Sequence, residues 1–188
     1  MVGNERLKVP QGEFELTRYP AHTNGALRAW DAADEFLLRH LAGIGEVPDV
    51  KGRILIVNDY AGALSTTLAS HHPMMLSDSY LAHVATRNNL ARNGIDVSAV
   101  LQLASFDPLP SSINVVVMKI PKSLALLEDQ LHRMAPHIHE KTLLFCRRND
   151  QTHSHFDTQA VYKHRWANTI IACREKGSTH LLQPRSCS

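Results

Sequence analysis

Apolar positions fall along this chain in two rhythms. Near-continuous apolar runs stand at residues 54–57, 74–77, 100–104, 113–118 and 142–146, and the run at 113–118 is the most hydrophobic piece of the chain. Runs of this length predict strands buried on both faces. Between them the spacing is helical. It predicts helices over 64–70, over 79–93 with Gly94 as the stop, and over 124–135 with Ser123 as cap and Pro136 as breaker. Leu124, Leu127, Leu131 and Met134 share one face of the last. Strands alternating with helices predict a doubly wound parallel α/β sheet.

The flanks are less regular. Phe14 and Leu16 alternate within a short strand at 13–19, closed by Pro20. Asn24 is a cap for a helix starting near Gly25, with Leu27, Trp30, Ala33, Leu37 and Leu41 on its apolar face and Gly43 and Gly45 at its end. Asp31, Asp34, Glu35 and Arg39 fall mostly off that face, and Trp30 is expected in the core. Residues 149–162 are polar and weakly patterned. Residues 169–173 and 179–182 flank a polar turn and predict a closing antiparallel hairpin, leaving 183–188 without pattern.

Composition narrows the classes. The 188 residues suit one domain, and an apolar fraction of 44% excludes a disordered chain. The net charge of +2 conceals an asymmetry: residues 1–118 carry −3 and residues 119–188 carry +5. A basic second part is compatible with a polyanionic partner. Cys146, Cys173 and Cys187 form no CxxC pair, which argues against a zinc site and against a disulfide framework, so a reduced, cytoplasmic setting is expected. The first residues lead into no apolar run, so no signal peptide is expected. No stretch approaches the ~20 apolar residues of a membrane span.

In a doubly wound sheet the ligand sits beyond the carboxyl ends of the strands, so the turn after 54–57 is the first place to look for chemistry. Its sequence is Asn58-Asp59-Tyr60-Ala61-Gly62-Ala63. A dinucleotide site wants GxGxxG, and an S-adenosylmethionine (SAM) site wants an acid followed by alternating glycines. Here Asp59 and a single Gly62 remain, and Tyr60 and Ala61 put side chains where a cofactor needs bare backbone. The plainer reading makes Asp59 a helix cap and Gly62 a packing residue. Asp78, nineteen residues after Asp59, is placed either to accept from ribose hydroxyls or to cap the next helix. After the fourth run comes Lys119-Ile120-Pro121-Lys122, where enzymes that methylate an exocyclic amine place Asn/Asp-Pro-Pro-aromatic. Lys119 offers only donors and no aromatic follows, so that chemistry is absent. Lys119 and Lys122 could instead meet phosphate. The HxH pairs at His137 and His153 lack metal-site spacing, and no nucleophile motif occurs, so no catalytic and no metal-binding residue is assigned.

Taken together, residues 14–20, 27–38, 54–65, 77–80, 85–90 and 119–128 resemble the start of the bacterial large-subunit ribosomal RNA (guanine-N2-)methyltransferases of the methyltransferase G type. The likeness spans roughly residues 13–148 and weakens from Asn149 onward. The resemblance implies a class I SAM-methyltransferase-like (Rossmann-like) fold in its degenerate N-terminal copy, over residues 1–182 with 183–188 as a tail. It implies that a separate C-terminal catalytic domain, not present in this chain, binds SAM through a glycine loop and carries Asn-Pro-Pro-Phe. Asp59, Gly62 and Asp78 would then be remnants of a cofactor site that holds nothing. The expected role is support of that methyltransferase domain and contact with 23S rRNA. The candidate phosphate contacts are Lys119 and Lys122, Arg147 and Arg148 after the fifth strand, and Lys163 and Arg165 before the hairpin. Two alternatives stay open: a stand-alone structural partner of a separate methyltransferase, and a small active SAM- or nucleotide-binding enzyme.

Overall fold

The computed structural model describes residues 5–20, 28–43, 53–139, 141–148, 170–175 and 178–182. In chain order, β1 (Glu5–Val9) and β2 (Gly12–Leu16) form a hairpin, followed by α1 (Ala32–Gly43), β3 (Ile54–Val57) and the short α2 (Ala63–Thr67). Then come β4 (Met74–Leu76), α3 (Tyr80–Arg92), β5 (Leu101–Leu103), β6 (Val115–Ile120), α4 (Leu124–Met134), β7 (Leu143–Arg148), β8 (Ile170–Glu175) and β9 (Ser178–Leu182).

Seven strands make one sheet in the order β5-β4-β3-β6-β7-β8-β9. All neighbours are parallel except β8 and β9, which close the edge as the expected antiparallel hairpin. Period-two alternation sorts the central strands onto two cores. Leu55, Val57, Val116, Met118 and Leu144 pack under Leu127, Leu131 and Met134 of α4. Ile54, Ile56, Val115, Val117 and Phe145 pack against Leu37 and Leu38 of α1, Leu64 of α2, and Leu7 and Leu16 of the hairpin. Each fully buried leucine there contributes about 1.5–3 kcal/mol. Ser123 caps α4 as expected, accepting from Leu126 N at 3.3 Å, whereas α3 is capped by Ser79, which accepts from Ala82 N at 3.3 Å, and not by Asp78. Leu124, expected on the inner face of α4, is exposed.

Four expectations need correction. The N-terminal helix does not begin near Gly25: α1 starts at Ala32, because Asp31 Oδ1 accepts from the N–H groups of Ala33 and Asp34 while Asp34 Oδ2 accepts from Asp31 N. This is a reciprocal capping arrangement. Trp30 precedes the helix, yet it is buried as expected and donates to Glu35 Oε1 at 3.0 Å. Strand β1, not anticipated, pairs with β2 from Glu5↔Leu16 to Val9↔Gly12. The fourth run lies two residues later than expected, so β6 carries Lys119 inside the sheet. Finally, Cys146 is disulfide-bonded, and the β7–β8 register sets Cys173 opposite it. Asn24, Gly25, Leu27, Gly45, residues 149–162 and residues 183–188 lie outside the described residues.

The hairpin is held on by two asparagines one turn apart, Asn89 on α3 and Asn93 capping its C-terminal end. Asn89 accepts from Thr17 N at 2.9 Å and donates to Thr17 O and Ala61 O, and Asn93 accepts from Glu15 N at 2.9 Å and donates to Glu15 O. The amides act as a missing neighbour strand and satisfy an edge that would otherwise be open.

Candidate functional site

The chain runs from β3 outward to β4 and β5, then resumes with β6 on the other side of β3. The carboxyl ends of β3 and β6 therefore flank the topological switch point, where open α/β sheets bind ligands. Here that place is occupied by the protein's own side chains.

Lys119 lies at the end of β6 on the face that packs against α1, in step with Val115 and Val117. It is only 4% exposed. Its Nζ donates to Asp31 Oδ2 at 2.7 Å and to Asp34 Oδ2 at 2.9 Å. The capping geometry of α1 brings both carboxylates to this point. Tyr60, in the turn after β3, sets its ring centroid 5.3 Å from the same Nζ, within cation–π range. Burial pushes Asp34 up to about 7; the Lys119 charge pulls the other way, and the Asp59 and Asp31 charges add to the rise. Burial alone would lower Lys119, but the charges of Asp34 and Asp31 outweigh it and raise it further.

On the far side of β3, Asn58 takes a left-handed backbone (φ 64), which Asn tolerates better than most residues. Its Nδ2 donates to Lys119 O at 2.9 Å and to Gln130 Oε1 at 3.0 Å, and Gln130 Nε2 returns a bond to Asn58 Oδ1 at 2.9 Å. This amide pair ties the ends of β3 and β6 to α4.

Asp59 is buried in the turn itself. Its Oδ1 accepts from Gly62 N at 2.9 Å and Ala63 N at 3.1 Å, and its Oδ2 from Ser65 N and Ser65 Oγ at 2.8 Å each. The amides that would face a ligand are spent on this carboxylate. Gly62 is required by packing: at φ +77, a Cβ there would stand 2.6 Å from both Cα and Oγ1 of Thr86 on α3. Asp78 is exposed at the end of β4 and accepts from Ser105 N at 2.7 Å and from Ser105 Oγ. Those bonds hold its carboxyl below the usual range.

The structure separates the expected basic contacts. Lys119 is corrected: it is buried and ion-paired, out of reach of a phosphate. Lys122 is exposed. Arg147 is partly buried with its guanidinium 4.6 Å from the centroid of Phe36 on α1. Strand β7 reaches Arg148, whose side chain lies outside the described residues, as do Lys163 and Arg165 altogether. Among the described residues no cluster of three or more His, Cys, Asp or Glu could hold a metal, and no helix is long and apolar enough to cross a membrane. Sequence reasoning missed the roles of Asp31, Asp34, Asn58 and Gln130. The Asp31-x-x-Asp34 spacing was a readable capping signal, whereas nothing local marks Gln130 as the partner of Asn58.

The family model of the RLMG N-terminal domain matches residues 4–164. The chain belongs to this family. Among curated relatives of this RLMG N-terminal domain, the ribosomal RNA large subunit methyltransferase G of Streptomyces griseus is 52% identical over 140 residues, covering 74% of this chain and 36% of the relative. That of Pectobacterium atrosepticum is 47% identical over 130 residues, covering 69% and 34%. The chain thus spans about a third of the length of these relatives. Among solved structures, a SAM-dependent methyltransferase from Agrobacterium tumefaciens aligns with a TM-score of 0.67 at 14% identity, over 92% of this chain and 62% of that one. At that identity the likeness establishes the class I methyltransferase-like fold.

Proposed function

We propose that this chain is the non-catalytic support domain of a SAM-dependent 23S rRNA (guanine-N2-)methyltransferase, binding no SAM itself and lending RNA contact to a catalytic domain. Family membership supports the setting. The observation that carries the non-catalytic part is the closed switch point, where Lys119, Asp31 and Asp34 fill the crevice and Asp59 consumes the turn amides.

Calorimetric titration with SAM tests the first part. No binding tighter than about millimolar, near −4 kcal/mol, is expected. Micromolar affinity would overturn it and restore the reading of a small SAM-binding enzyme. The RNA part rests on the basic second part of the chain, net +5 over residues 119–188. With Lys119 excluded, the remaining candidates are Lys122, Arg147, Arg148, Lys163 and Arg165. Binding to an rRNA fragment should be weak, indifferent to sequence, and should fall on a log–log salt plot with a slope of roughly −2 to −4 for about three to five phosphates. Replacing Arg147 and Arg148 together should flatten that slope. Absence of binding at low salt, or a slope that ignores the double substitution, refutes contact through this edge.

A further inference from the structure

Lys119 makes the contacts of a bound ligand. Its ammonium meets two carboxylate oxygens at 2.7 and 2.9 Å and faces the Tyr60 ring at 5.3 Å. Carboxylates on one side and an aromatic face on another are surroundings that select an alkylammonium over water or a neutral group. The walls come from two elements other than the one that supplies the cation: the carboxylates from the start of α1, the ring from the turn after β3. Asp34 Oδ1 is buried beside the ammonium with no partner, so the site holds more acceptor capacity than Lys119 uses.

We propose that the switch-point crevice is a preformed alkylammonium site whose resident ligand is the Lys119 side chain. The carboxylates and ring form the site, and the lysine occupies it from within. A tethered ammonium competes at a high effective concentration, which keeps outside amines and other organic cations out of the wild-type crevice. This goes beyond the support role proposed above and is independent of RNA contact.

Lys119→Ala removes the atoms from Cγ to Nζ, which n-propylammonium restores. The variant should melt about 10 °C below wild type, as expected for buried carboxylates left without their cation. On the order of 100 mM n-propylammonium should then recover roughly 3–5 °C in the variant and nothing in wild type. Methylammonium should recover less, and n-propanol and sodium chloride should recover nothing. Equal recovery with sodium chloride or n-propanol, or equal recovery in wild type, overturns the proposal. If Lys119→Ala is obtained only from denaturant, its refolding yield with and without n-propylammonium reads the same distinction. Wild type supplies an independent arm: an amine-directed anhydride should label Lys122 at least about tenfold faster than Lys119, whose ammonium is held in the site. Equal labelling of the two lysines overturns the proposal, whereas a positive SAM titration overturns only the non-catalytic reading.

Discussion

Lys119→Met keeps most of the length and volume of the lysine stem and deletes its charge, so it isolates the ion cluster. In the folded chain the lysine neutralises Asp34, which is 1% exposed, and Asp31, whose side chain is 27% exposed. Removing one partner of a buried pair costs about 3–5 kcal/mol, most of it the penalty of the stranded carboxylate. Asp31 can regain water and Asp34 cannot, so the cost should fall mainly on Asp34. Asp34→Asn removes that stranded charge while leaving an oxygen to accept from Asp31 N. The double variant should therefore be more stable than the sum of the single changes, with a coupling of about 2 kcal/mol or more. Denaturant unfolding of wild type, both single variants and the double variant measures this directly, at about pH 8 where Asp34 is ionised. The cost of Lys119→Met should shrink toward pH 5, because Asp34 can then take up a proton instead. A Lys119→Met cost below about 1 kcal/mol, or a coupling near zero, would refute the buried cluster.

Asp34 also sets a pH dependence. Its carboxyl is raised to about 7 chiefly by burial, so the folded chain keeps a proton that the unfolded chain, with an ordinary value of 3.8, has released. The resulting stability is fully present below the unfolded value and is lost as the pH rises through about 7. The stability difference between wild type and Asp34→Asn should thus move against wild type from pH 4.5 to 7.5, and a flat difference refutes the shift. Gly62→Ala and Gly94→Ala form a matched pair at φ +77 and φ +69. Both meet the left-handed penalty of about 1–2 kcal/mol, but Gly94 has nothing within 4 Å whereas Gly62 faces Thr86 at 2.6 Å. Gly62→Ala should cost about 1–3 kcal/mol more than Gly94→Ala, and equal costs by denaturant unfolding would show that Thr86 gives way freely.

The centre of the sheet was legible because β3, β4 and β6 are buried on both faces. Runs such as Ile54 to Val57 and Val115 to Val117 have no alternation to confuse with a helix, and Gly94 and Ser123 punctuate the helices between them. The closing hairpin was legible from its polar turn. What failed was nonlocal. The apolar spacing of Leu27 and Trp30 runs on into Ala33 and Leu37 and predicts an earlier start, but the reciprocal bonds of Asp31 and Asp34 place the start of α1 at Ala32. Lys119 reads as a surface cation in one dimension; only the pairing of β6 with β7, which extends to Ile120 beyond the end of the β3 pairing at Met118, puts it inside the sheet opposite those carboxylates. Asp59 was readable both as a remnant and as a cap, and local sequence cannot choose between them, because Ser65 supplies the fourth donor from beyond the turn.

A likeness to methyltransferases at a TM-score of 0.67 concerns the sheet and its helices; function resides in what the strand ends offer. Three such ends matter here, and each has its polar groups engaged. The turn after β3 gives its amides to Asp59, the acid after β4 is held by Ser105, and the end of β6 is neutralised by Asp31 and Asp34. A cofactor entering the crevice would have to replace these bonds. Hydrogen bonds to charged groups contribute about 1.5–3 kcal/mol each, so displacing two without replacement costs about 3–6 kcal/mol. Each 1.4 kcal/mol is tenfold in affinity, which weakens binding by about two to four orders of magnitude. A micromolar site would become a submillimolar or weaker one even if every contact of the incoming molecule were retained. Placing glycine at Tyr60 and Ala61 alone would therefore open the backbone of the turn and still leave Lys119 and Asp59 with their bonds made.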